Sequence, residues 1–261
     1  LIFGQNIARV KNVKIQSKSL QQEREILVYT PIDYDWRENE YFNVIYVFDS
    51  QSREFFDYTS SIISFLTDNT KSYIVVGITS PYNKKLDYAR NNDLLPVLDT
   101  KDSNERYGKY SGNADNFFGF VSDELIPFID SNYRTLNNRI VVGHSLSASF
   151  VLNSFVKNPD LFNSYIAVSP NLAYDKDRLA NELINFDYSQ IGKPTYLYLS
   201  NANEGIDSWR EWKPAREKVY SFYKKKMKNN NLKVQINEFP ENNHWSTFPP
   251  SLYKGLDFYF K

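Results

Sequence analysis

Apolar residues recur along this chain in two rhythms. The segments 42–49 (FNVIYVFD) and 72–79 (SYIVVGIT) are continuous apolar runs bounded by polar residues, the pattern of strands buried on both faces. Shorter runs at 139–143, 164–170, 195–200 and 232–239 read as further strands, and 8–17 with 24–31 as an opening hairpin pair. Between them the spacing turns helical. The segment 114–133 repeats apolar residues at helical intervals, and so does 147–162, which ends near Asn158-Pro159, a stop signal. A long amphipathic helix is predicted after Ser208, and another closes the chain over 246–260. Strands alternating with helices predict an α/β fold with a mostly parallel sheet covered on both faces. There is no internal repeat and no low-complexity linker. The polar stretch 81–112 lacks a clear period, and loops of that length are usually functional or disordered. The reading is one α/β domain over 1–261 with one long excursion at 81–112.

Composition changes this picture mainly by exclusion. Lys+Arg and Asp+Glu both total 31 and no basic stripe stands out, which argues against nucleic acid as a partner. The run Lys224-Lys225-Lys226 reads as a solvated helix face. The absence of cysteine excludes a thiol nucleophile, disulfides and a thiolate metal site. The two histidines stand far apart without matching carboxylates, so no metal is expected, and no Gly-rich nucleotide motif calls for a cofactor. No apolar run is long enough for a membrane span. The 20 Tyr and 19 Phe fill a core in the plain reading and leave room for a groove that takes sugar or aryl groups.

One segment carries chemistry. In NNRIVVGHSLSASFVLNSF (137–155) a strand meets a helix at Gly143-His144-Ser145-Leu146-Ser147, close to the G-x-S-x-G of a nucleophile elbow. A serine hydroxyl needs a base, and only His144 and His244 are available. His144 adjoins Ser145 on a turn where neighbours point apart, so it reads as a packed or hydrogen-bonded neighbour. His244, after the last strand, stands where the base belongs. The acid then falls between them. Glu204, just past the strand 195–200, is the first choice, with Asp207 and Asp175 as rivals. The Leu146 amide, at a helix N-terminus, is one oxyanion donor, and the amide of Ser50 or Gln51 the second. Asp49 reads as a tie for that loop. Trp209, Trp212 and Trp245 neighbour the acid and base in sequence and are candidates for the substrate pocket, or simply anchors of the long helix.

Taken together, these residues resemble the "Putative esterase" family of α/β hydrolases, which includes esterase D, feruloyl esterases, siderophore esterases and mycolyltransferases. The likeness rests on NVIYVFDSQ, on YIVVGITSP followed by NNDLLPV, on KNPDLFNSYIAVSPNLAYD and HWSTFPPSLYKGLDFYF, and above all on SGNADNFFGFVSDELIPFIDSNYRT, which leads into the elbow. The resemblance implies an eight-stranded sheet, mostly parallel with its first strands antiparallel. It implies Ser145 as nucleophile, His244 as base and Glu204 as acid. The chain departs from the family twice. Ser147 and Ala148 replace two glycines, so Ser147 either crowds the oxyanion hole or hydrogen-bonds locally. Asn91-Asn92-Asp93 stands where an arginine often precedes the aspartate.

The expected function is a serine esterase acting on a small-molecule or carbohydrate-linked ester. A silent, hydrolase-like binding protein and an acyltransferase using the same residues are the alternatives. Many bacterial relatives are exported and the chain starts at Leu1, so the expected location is periplasmic or secreted, with cytoplasmic as the alternative.

Overall fold

A computed structural model describes residues 8–67, 72–204, 207–225 and 229–261. Among them eight strands form one sheet: β1 (Arg9–Ser17), β2 (Gln22–Thr30), β3 (Phe42–Val47), β4 (Tyr73–Ile78), β5 (Thr135–His144), β6 (Ser164–Val168), β7 (Thr195–Ala202) and β8 (Leu232–Phe239). Their spatial order is β1-β2-β4-β3-β5-β6-β7-β8. β1 pairs antiparallel with β2, and β2 with β4, while every later pairing is parallel. The sheet is therefore the mostly parallel one expected, with the antiparallel strands first. The edge strand β1 is polar and largely exposed, whereas β3, β4 and β6 lie inside and are apolar on both faces. β5 starts earlier than its apolar run suggests, because Thr135 pairs with Phe42 across a shift in register.

Helices cover both faces: α1 (Arg53–Leu66), α2 (Arg90–Leu94), α3 (Lys101–Tyr107), α4 (Ala114–Gly119), α5 (Ile126–Asn132), α6 (Leu146–Lys157), α7 (Tyr174–Asn185), α8 (Lys213–Lys225) and α9 (Phe248–Phe260). α4 and α5 are joined by a π-helical stretch, Phe120–Leu125, just ahead of Pro127. A proline removes one helical donor and crowds the preceding turn, and widening the helix relieves both. One core cluster packs the sheet against α4 to α8, with Phe117, Phe120, Phe150 and Phe155 fully buried. The other packs the opposite face against α1 and α9 through Phe56, Ile63, Leu252 and Leu256.

The stretch 81–112 is not structureless. It holds α2 and α3 and is tied to the sheet by a buried ion pair. The two Nη nitrogens of Arg24, on β2, donate to Asp93 at 2.7 Å, and the Ser80 hydroxyl adds a third bond. Arg90 grips Asp49 in the same bidentate way at 2.8 and 2.7 Å. The arginine lies three positions before Asp93, and its target is the loop after β3.

Candidate active site

The loops after β3, β5, β7 and β8 converge at the C-terminal edge of the parallel strands, where open α/β sheets carry their ligands. At the end of β5 the backbone of Ser145 takes φ 60°, ψ −121°. Such a conformation costs about 1–3 kcal/mol for a residue with a Cβ and persists only where its surroundings impose it. Two of them do. The Ser145 N–H donates to Val168 O at 2.9 Å, and Gly143 lets β5 and α6 close in. A Cβ on Gly143 would lie 2.5 Å from Ser147 O and 2.8 Å from Ala148 N. The Ser145 side chain makes no hydrogen bond among the described residues and is only half-buried.

Ser147 does not crowd the turn. Its hydroxyl donates to His144 O and accepts from His144 N, both at 2.9 Å. The side chain closes on the elbow's own backbone in fully buried surroundings. Leu146 opens α6, so its N–H belongs to the first-turn donors that have no intrahelical acceptor.

Across from the elbow, His244 and Glu204 form a buried pair. His244 Nδ1 lies 2.5 Å from Glu204 Oε1, and the Glu204 side chain is 1% exposed. A carboxylate only accepts, so Nδ1 carries a proton towards it, and in the neutral imidazole Nε2 then keeps its lone pair. Arg216, on α8, donates to the other carboxylate oxygen at 3.1 Å and is itself buried. Arg216 is not among the residues singled out from the sequence, yet a signal was there: it sits in the same stripe as the buried Trp212, Val219, Tyr220 and Tyr223.

The rival acids sit elsewhere. Asp175 accepts from the amides of Asp99 and Thr100 at 2.8–3.1 Å. Burial pushes its carboxyl up, but those amides and Arg178 outweigh the effect and hold it below the usual range. The side chain of Asp207 lies outside the described residues, as does Lys226 of the lysine run. Of the two loop amides, Ser50 is corrected: its N–H is spent on Ile78 O at 3.0 Å and its hydroxyl on Val47 O. The Gln51 amide has no hydrogen bond among the described residues and remains free to donate. Gln51 is fixed through its side chain, which donates to Asp49 and accepts from Ser80 N. Asp49 ties the loop as expected. Burial raises its pKa, but Arg90, Ser147 and Gln51 together bring it below the ordinary value.

The tryptophans surround His244. Trp209 stacks on His244 (4.8 Å between centroids, 23°), and the buried Trp212 meets it edge-on at 5.5 Å. Trp245, 68% exposed, meets His244 edge-on at 5.6 Å. Two clefts adjoin this cluster. One, of ≈ 420 Å³, is apolar and lined by Phe55, Tyr58, Trp245, Phe248 and Pro249. The other, of ≈ 300 Å³, is polar and runs from Trp212 past Arg106, Asn171 and Lys176. No group of metal-ligating side chains occurs among the described residues, and no helix among them is long and apolar enough to cross a membrane.

A strand order that turns back at β3 and β4, a serine in a strained turn after the central β5, and a histidine supplied by the loop after β8 are the layout of an α/β hydrolase. Comparison with known proteins narrows this further. Residues 17–259 match the family described as "Putative esterase", and the chain belongs to that family. Among individual proteins, it is 30% identical over 118 residues to the ferri-bacillibactin esterase BesA of Bacillus subtilis (strain 168). That alignment covers 43% of this chain and 41% of the length of BesA. A longer match, 25% identical over 229 residues, is to the uncharacterized protein YjcH of the same organism, covering 82% of this chain and 86% of YjcH. Among solved structures, an IroE-like serine hydrolase from Shewanella oneidensis superposes with a TM-score of 0.78 at 24% identity, over 97% of this chain and 80% of that one. The siderophore hydrolase EstA from Aspergillus nidulans gives 0.76 at 19% identity, over 96% and 93%. These last two likenesses establish the fold.

Proposed function

We propose that this chain hydrolyses carboxylic esters through an acyl-enzyme on Ser145. The observation that carries the reading is the buried His244–Glu204 pair, 2.5 Å apart, on the sheet edge that bears the strained Ser145 turn. In this mechanism Ser145 Oγ attacks the ester carbonyl carbon while His244 Nε2 takes the hydroxyl proton. Glu204 accepts the Nδ1–H throughout and stabilises the imidazolium. The amides of Leu146 and Gln51 receive the negative charge that develops on the carbonyl oxygen. The tetrahedral intermediate expels the alcohol, which leaves with the proton from His244. Water, deprotonated by the same histidine, then attacks the acyl carbon. The acid departs and Ser145 recovers its proton.

The two clefts give the substrate its shape: an apolar or aryl portion against Phe55, Tyr58 and Trp245, and a polar portion towards Arg106 and Asn171. The identity with BesA puts an iron-loaded siderophore ester first among the natural candidates. The test is a panel of p-nitrophenyl, hydroxycinnamoyl and ferric siderophore esters assayed with the wild type and with Ser145→Ala. Hydrolysis by the wild type that falls by about 10⁴-fold or more in Ser145→Ala is the expected result. Equal rates for the two proteins would refute the mechanism.

A further inference from the structure

The mechanism above leaves His144 idle, but its surroundings are those of a built part. Its ring is buried and lies on Phe55 (5.5 Å, 29°), with Phe248 edge-on at 6.0 Å and the His244 ring 4.7 Å away. Its Nε2 stands 2.7 Å from the main-chain carbonyl oxygen of His244. A carbonyl only accepts, so Nε2 carries the proton and the neutral tautomer is fixed. Burial, and then the neighbouring His244, hold its pKa down at about 4, so the ring is neutral at physiological pH. At its other end the residue is clamped by Ser147, whose hydroxyl binds both the N–H and the carbonyl of His144. His144 is therefore fastened to the elbow through its backbone and to the loop after β8 through its side chain.

We propose that His144 is a positioning residue for the reaction: the bond from its Nε2–H to the His244 carbonyl fixes the loop that carries the base relative to Ser145. The proposal rests on the reading of Ser145 and His244 given above. Simple core packing would need only the ring. Positioning needs the donor, and the two roles respond oppositely to two substitutions. His144→Phe keeps an aromatic ring between Phe55 and Phe248 but removes the donor. His144→Gln gives up the ring but carries an amide N–H at a similar reach.

The experiment is steady-state kinetics on the best ester of the panel, with circular dichroism to confirm that each variant is folded. A displacement on the ångström scale between nucleophile and base is worth about a hundredfold in rate. His144→Phe is therefore expected to lose about that much in kcat while KM stays within about twofold. His144→Gln is expected to recover at least about tenfold of the loss. The rate at which a fluorophosphonate labels Ser145 should follow the same order. Full kcat in His144→Phe, or a His144→Gln variant no faster than His144→Phe, would overturn the proposal. A wild type with neither hydrolysis nor labelling instead removes the esterase reading itself, so the two failures are distinguishable.

Discussion

At the residue scale, the elbow shows how one substitution is absorbed. Where the family carries a glycine, Ser147 adds a hydroxyl at a fully buried position, and that hydroxyl binds the main chain of His144 at both ends. Sequence alone left two outcomes open for this residue, crowding or local bonding, and distances on the ångström scale decide between them. Reverting it therefore does not improve the site. Ser147→Gly leaves a buried N–H without its acceptor and adds backbone freedom, so stability is expected to fall by about 1–3 kcal/mol while ester hydrolysis persists. Urea unfolding beside a kinetic assay checks both halves. Gly143 was legible for a simpler reason. The close approach of strand and helix at such a turn requires a residue without a Cβ, and the 2.5 Å to Ser147 O bears this out.

At the element scale, the strands were readable because parallel central strands are apolar throughout, as in β3 and β4. Several helices were not. α7 opens with Asp175, Lys176 and Asp177 in the left-handed region, and its charged first turn hides the pattern. α1 carries apolar residues at 55, 56, 62, 63 and 66 with the buried Thr59 on the same stripe, a helical spacing broken up by the serines at 60, 61 and 64. The buried arginines share one signature, a charge in phase with apolar neighbours. Arg24 alternates with Ile26 and Val28 on β2, and Arg216 lies on the buried stripe of α8. What each one partners depends on tertiary contacts far along the chain. Arg216 backs Glu204, so Arg216→Met strands a buried carboxylate. Breaking such a pair costs about 3–5 kcal/mol, and kcat is expected to fall with it. Chemical denaturation and kinetics on the folded variant measure the two effects.

At the scale of the whole molecule, the buried titratable groups make stability depend on pH in two stages. His144 is held at about 4 in the folded protein against an ordinary 6.5. Between those values the unfolded chain binds the extra proton, so stability falls as pH drops from 6.5 towards 4, by about 3 kcal/mol in all. Further down, Asp49, Asp175 and Glu124 sit below their ordinary values in the folded state. Their contribution is present above the unfolded carboxylate range and is lost as pH falls through the folded values. Asp93, raised by burial despite Arg24, works in the opposite direction. Comparing the wild type with His144→Gln cancels the shared carboxylates. The variant should lack the decline between pH 6.5 and 4, and urea unfolding across that range reads it. An identical slope in both proteins would mean that His144 is not held neutral by the fold.

We propose above all that the fold activates Ser145 as a nucleophile with His244 as its base. The most direct measurement is covalent labelling of the folded protein with a fluorophosphonate, located by peptide mass spectrometry. A single adduct on Ser145 that disappears in His244→Ala is expected. A folded protein that takes no label, or takes it on another residue, would contradict it.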